Sequence, residues 1–234
     1  MTFNPLAASS SIESFFLING NNKSALDIGA QTPSISTDFI ESLIKKYNQL
    51  DKSQIENLNL LKEKTMKKIQ FTTHEFFLSI GFKIYNSIDI NGAYESFEFD
   101  LNKDILSVYK FKKKYDLVIN NGTGEHIFNQ YSLFLNMHNV TKKNGLMLHL
   151  LPFIDWINHG FYNFNPIFFA GVLCFTFFLL PTPHPPPSAA EDGLQLRREL
   201  LSCGRLLLGS CFWELFLGGP SRSEILRPNI KPIS

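Results

Sequence analysis

The sequence predicts an α/β fold with a doubly wound, mostly parallel sheet, and three observations predict it. Short apolar runs alternate with helix-period segments across residues 25–151, the pattern that lays helices over both faces of a parallel sheet. Polar and acidic residues follow the apolar runs, at the strand ends where such sheets hold their ligands. A chain of 234 residues that is 44% hydrophobic supplies one ordinary core and an appendage, not two full domains.

The elements follow in order. Residues 25–29 are apolar around one acid, Asp27, and run into a turn region, so they read as the first strand. Three helices are then expected, at about 38–49, 53–68 and 73–80. Their N-termini are marked by Asp38 with Glu41, Ser53 with Glu56, and Thr72 with Glu75. In the middle helix Ile55, Leu58, Leu61 and Ile69 fall on roughly one face, with lysines opposite. Strand signals resume at 83–90, 96–101, 115–120 and 145–151. Between the last two, Ile127, Phe128, Tyr131, Leu135 and Val140 outline a helix.

Composition changes near residue 170. Residues 1–170 contain no arginine and no cysteine, whereas Arg197, Arg198, Arg205, Arg222 and Arg227 and all of Cys174, Cys203 and Cys211 lie beyond. The expected organisation is therefore a domain over 1–170, with a helical insertion at about 45–80, and a poorly ordered tail of different vocabulary over 171–234. Such a break fits a flexible appended segment or, the favoured reading, a reading-frame change or chimeric join. The sheet is accordingly expected to be incomplete at its C-terminal end, leaving the fifth strand as an open edge.

A net charge of +1 gives no basic footprint for nucleic acid, and Lys110 with Lys112, Lys113 and Lys114 reads as a solvated loop. The first residues lack the basic and apolar regions of a signal peptide, so a cytoplasmic location is expected. The apolar run at 167–180 is shorter than the ~20 residues needed to span a bilayer. Membrane contact through it is not the favoured reading.

At the strand ends, the candidate ligand-binding residues are Asp27 and Gly29 after the first strand, Asp89 after the second, Asp100 after the third, and Asn120, Asn121 and Gly122 after the fourth. An acid such as Asp89 either accepts two hydrogen bonds from a ribose diol or simply caps a turn. His126, His149 and His159 lie in or beside the same loops. Each is a candidate general base, because imidazole titrates near neutrality, and each has a purely structural alternative. No spacing of Cys, His and carboxylates reads as a metal site.

These strings resemble a known family. Ala25-Leu26-Asp27-Ile28-Gly29-Ala30 is similar to the first motif of Rossmann-like S-adenosylmethionine-dependent methyltransferases, in which apolar, acidic, apolar, Gly, x, Gly follow one another. Tyr85-Asn86-Ser87-Ile88-Asp89 resembles that family's second strand with its ribose-binding acid, and Phe99-Asp100-Leu101 the third-strand region that contacts adenine. Tyr115 to Asn121 resembles the fourth-strand motif facing the methyl donor, and Gly145 to His149 the fifth strand. The stretch from Asn121 to His126, with 158–166, is similar to a bacterial branch of undefined substrate.

The resemblance implies S-adenosylmethionine as cofactor and methyl transfer to an unidentified acceptor; the expected acceptor position is near Asn120 to His126, with His149 and His159 lining it. It covers about residues 20–169. Gln31 and Pro33 stand where the family has glycines, so Gln31 would line the cofactor loop. Asp27 and Asp89 stand 62 positions apart, against the ~20 expected between a glycine loop and its ribose acid. A non-enzymatic, degenerate domain of the same fold, tethered through its apolar tail, is the competing expectation.

Overall fold

The computed structural model describes residues 2–153, 158–165, 168, 206–208 and 213–215. Its strands are β1 (Ser24–Ile28), β2 (Ile84–Asp89), β3 (Phe97–Glu98), β4 (Tyr115–Asn121), β5 (Thr141–Leu150), β6 (Leu206–Leu208) and β7 (Trp213–Leu215), in the spatial order β3-β2-β1-β4-β5-β6-β7. From β3 to β5 every pairing is parallel. The chain winds from β1 outward to β3, returns beside β1 as β4, and continues to β5. The body is thus the expected doubly wound, Rossmann-like α/β sheet, with its switch point between β1 and β4.

The helices are α1 (Pro5–Leu17), α2 (Thr37–Lys46), α3 (Lys52–Met66), α4 (Thr73–Ser79), α5 (Ile105–Val108) and α6 (Gln130–Val140). Side chains of α1 to α4 pack with Ala25, Leu117, Ile119, Leu148 and Leu150 on one face of the sheet. Leu26, Ile28, Ile88 and Val118 point the other way, to Ile105 of α5 and to Leu133, Met137 and Val140 of α6. This alternation follows from the two-residue period of a strand. Leu58 and Leu61 of α3 belong to the first cluster, so the long interval between β1 and β2 is filled by a helix built into the core.

Three local expectations differ from the structure. The helix expected from Ser53 instead begins at the N-cap Asp51, whose carboxylate accepts from Gln54 N while Gln54 accepts from Asp51 N. The same Gln54 is buried and donates through Nε2 to Ile80 O at the end of α4, so one residue serves both the cap and the packing. Helix α2 is capped by Ser36, two residues before the expected Asp38. Helix α1 was not legible from apolar periodicity because its buried face is Ala7, Ala8, Ser10, Ser11 and Ser14 beside Ile12. Its start was marked all the same, by Asn4 as N-cap and Pro5 in the first turn.

The expected five-stranded, mostly parallel sheet is present, and beyond β5 a short strand pair extends it. β6 pairs parallel with β5 at His149↔Leu208 and antiparallel with β7. A strand edge carries unpaired N–H and C=O groups that another segment can satisfy, and this short pair supplies them at one point of β5. Most of the tail, and the apolar run at 167–180 apart from Phe168, lie outside the described residues.

Candidate functional site

Two loops flank the switch point, one after β1 and one after β4, and they touch. Gly29 adopts a φ of +112°, and a Cβ on it would collide with Thr123 Oγ1. Only glycine lets the first loop leave the strand with this backbone this close to the second.

The first loop is held by the residues expected to carry a cofactor. Asp89, at the end of β2, accepts from Ala30 N at 3.1 Å and from Asn91 N at 3.2 Å. Its carboxylate therefore joins the β1 loop to the β2 turn. Gln31 is buried: its Nε2 donates to Asn121 O, its Oε1 accepts from Asn121 Nδ2 at 2.6 Å, and its own carbonyl accepts from Thr73 Oγ1 at 2.6 Å. Gln31 and Asn121 thus form a closed amide pair across the switch point. A cavity of about 410 Å³ lies alongside, lined in part by Gln31, Thr32, Thr73, Ser87 and Tyr94. The Tyr94 and Thr32 hydroxyls meet across it at 2.7 Å.

Asp27 lies inward of this loop and is fully buried. Tyr85 Oη donates to its Oδ2 at 3.2 Å, and among the described residues its Oδ1 has no hydrogen-bond partner. Burial pushes its pKa up to about 8, the Tyr85 hydrogen bond opposing only weakly. Asp100 lies elsewhere, in the turn after β3. It accepts from Asn102 N and Nδ2 at 3.0 and 2.9 Å and pairs with Lys103 at 3.4 Å, contacts that hold its carboxyl below the usual range. That is a self-contained turn, and nothing in its contacts reaches the switch point.

The second loop begins with Asn120, whose Oδ1 accepts from Gly124 N at 2.8 Å, and with Gly122 at a φ of +66°, whose N–H donates to Leu150 O. Gly124–His126 then form a 3₁₀ turn, pinned from α6 by Gln130 Nε2 on Gly124 O. The chain returns past it: Phe161 N donates to Glu125 O at 2.7 Å, and Tyr162 Oη reaches Phe128 O at 2.8 Å. A Cβ on Gly160 would come within 2.8 Å of both Glu125 Cγ and Glu125 O, so a glycine is needed for this approach.

The outcome is a cluster that spacing did not reveal. Glu125 Oε1 lies 3.5 Å from His159 Nε2 and 3.9 Å from His126 Nε2, and one donor atom from each residue falls within 4.8 Å of the others. The Glu125 side chain has 0% exposure, while those of His126 and His159 have 43% and 28%. Neither Glu125 oxygen has a hydrogen-bond partner among the described residues, and desolvation raises its pKa, the two histidines opposing. The segments following His126 and His159 also line a cavity of about 620 Å³ with Phe128, Tyr162 and Phe164.

His149 stands apart from this cluster. It is buried in β5 beside Asn120, with its ring 5.3 Å from that of Phe134, and burial lowers its pKa to about 4. Of the three candidate general bases, the fold brings together His126 and His159. Glu125 is the member of the cluster that the sequence does not single out. Its single local signal is its place beside His126.

No family model, curated protein or solved structure matches the chain. Among the described residues, no helix is long and apolar enough to cross a membrane.

Proposed function

We propose that the domain binds S-adenosylmethionine over the ends of β1 and β2 and transfers its methyl group to an acceptor held beside the loop after β4. The observation carrying this reading is the hydrogen bond from Ala30 N to Asp89 Oδ2. It sets an acid from the second strand against the loop of the first, at the switch point where nucleotide-like ligands bind in open α/β sheets. A ribose diol placed there would take up the remaining acceptor capacity of Asp89. Direct transfer needs two reactants held at near-attack distance and no covalent intermediate with the enzyme. In this reading His126, exposed in the turn that follows β4, would take a proton from an attacking hydroxyl or amine, with His159 beside it.

Calorimetry of the full chain with S-adenosylmethionine and with S-adenosylhomocysteine tests the reading. Binding of either at sub-millimolar ligand is expected, and D89N should weaken it by ~1–3 kcal/mol, the worth of hydrogen bonds to a charged acceptor. Absence of heat with both ligands would sink the proposal.

One observation favours the second reading, a degenerate domain without cofactor. The Gln31–Asn121 pair satisfies the groups of both loops with one another. A ligand reaching Asn121 would have to exchange that pair for contacts of its own. If neither ligand binds the wild type or Q31G, in which the pair is removed, the degenerate reading stands.

A further inference from the structure

We propose that Glu125, His126 and His159 form a binding site for a divalent transition-metal cation of zinc-like preference, at the acceptor side of the sheet. The donor set is two imidazoles and one carboxylate, a combination that zinc and its neighbours bind while leaving a coordination position open.

The geometry is close to what an ion requires. Ligands about 2.0–2.1 Å from a tetrahedral zinc stand about 3.4 Å apart. Glu125 Oε1 is 3.5 and 3.9 Å from the two imidazole nitrogens. The donor atoms of all three residues lie within 4.8 Å of one another, so side-chain rotations that move them by up to about 1 Å would close the set around one ion.

A second observation points to a ligand. Glu125 is fully buried, yet neither oxygen has a hydrogen-bond partner among the described residues. A buried carboxylate is costly unless it is paired or bound to a metal. The backbone around it is arranged to keep it there: Phe161 N and Tyr162 N both donate to Glu125 O, and Gly160 leaves room for its side chain. Both Glu125 oxygens and His159 Nε2 are buried, and His126 is the exposed member, so the cluster meets solvent on the His126 side. The open position would face an incoming oxygen donor, such as a hydroxyl or carboxylate of the acceptor. A bound cation would occupy the acceptor lone pairs of both imidazoles, so the loaded cluster is a ligand set and not a base; the proposal does not depend on S-adenosylmethionine binding and is tested without it.

The test uses the full chain, stripped with a chelator and titrated with zinc alone against a chromophoric competitor. Cys174, Cys203 and Cys211 are replaced by serine so that thiolates do not contribute. One zinc per chain is expected, with a rise in melting temperature on loading. H126A and H159A, at partly exposed positions, should each weaken binding at least about tenfold, since even the partners that merely orient metal ligands are worth that much. E125Q should do the same, and cobalt loading should give tetrahedral d–d bands that H159A abolishes. Zinc that binds only while the cysteines are present, or equally well in H126A and H159A, would overturn the proposal. So would the absence of 1:1 binding at micromolar metal.

Discussion

The loops after β1 and β4 leave the sheet on either side of one switch point, and they treat their polar groups in opposite ways. In the first, Gln31 and Asp89 are spent on partners within the fold, namely Asn121, Ala30 and Asn91. In the second, the Glu125 carboxylate is carried into the interior and set against two imidazoles without a hydrogen bond among the described residues. A satisfied polar pair rigidifies a site, whereas an unsatisfied buried carboxylate is a cost retained where it does something else. The chemistry of this molecule is therefore to be sought first at the β4 end.

The contrast breaks most severely where the loops touch. Gly29→Val adds a side chain at a φ of +112° and drives it into Thr123. It should cost ~3 kcal/mol or more in urea unfolding, the sum of backbone strain and overpacking. A change under 1 kcal/mol would mean that the loops are not in contact.

Next in size is the titration of Asp27 beneath the first loop. The unfolded chain loses this proton near pH ~4, whereas the folded protein holds it to about pH 8. Between those values the native state binds more protons, so stability falls as pH rises. His149 acts in the opposite sense: its folded pKa of about 4 makes stability fall as pH drops below ~6.5. The slope from Asp27 is thus cleanest between pH ~6.5 and ~8, where about 2 kcal/mol should be lost at ~1.4 kcal/mol per unit. Chemical denaturation at several pH values should show that loss in the wild type. In D27N it should be gone, and persistence of the slope would assign it to another group.

The two smallest effects set the loops directly against each other. Gln31→Leu strands the buried Asn121 amide and should cost ~1–2 kcal/mol. E125Q, measured in chelator, should be neutral or stabilising by up to ~1 kcal/mol, because it replaces a buried acid that has no hydrogen bond to lose. If E125Q costs as much as Q31L, the carboxylate is holding the fold together and the contrast between the loops disappears.

Much of the fold was legible from periodicity and capping. The observed β1, β2, β4 and β5 overlap the expected strands, and the Thr72 and Glu75 capping box begins α4 as read. The two-residue and 3.6-residue periods are written within a few turns of chain, so the sequence by itself determined the alternation of strands and helices. It also determined where loops with polar residues would leave the sheet.

Tertiary structure decided what local pattern cannot encode. It placed a face of alanines and serines against β4 and β5 as α1, and it chose Asp51 over Ser53 as a cap because Gln54 could also reach Ile80. It paired Gln31 with Asn121 across 90 positions and folded 158–161 back onto Glu125. Such pairings depend on strand order and on two glycines that permit close approach. No spacing in the chain specifies them, because the contact is made by the sheet's winding and not by neighbouring residues.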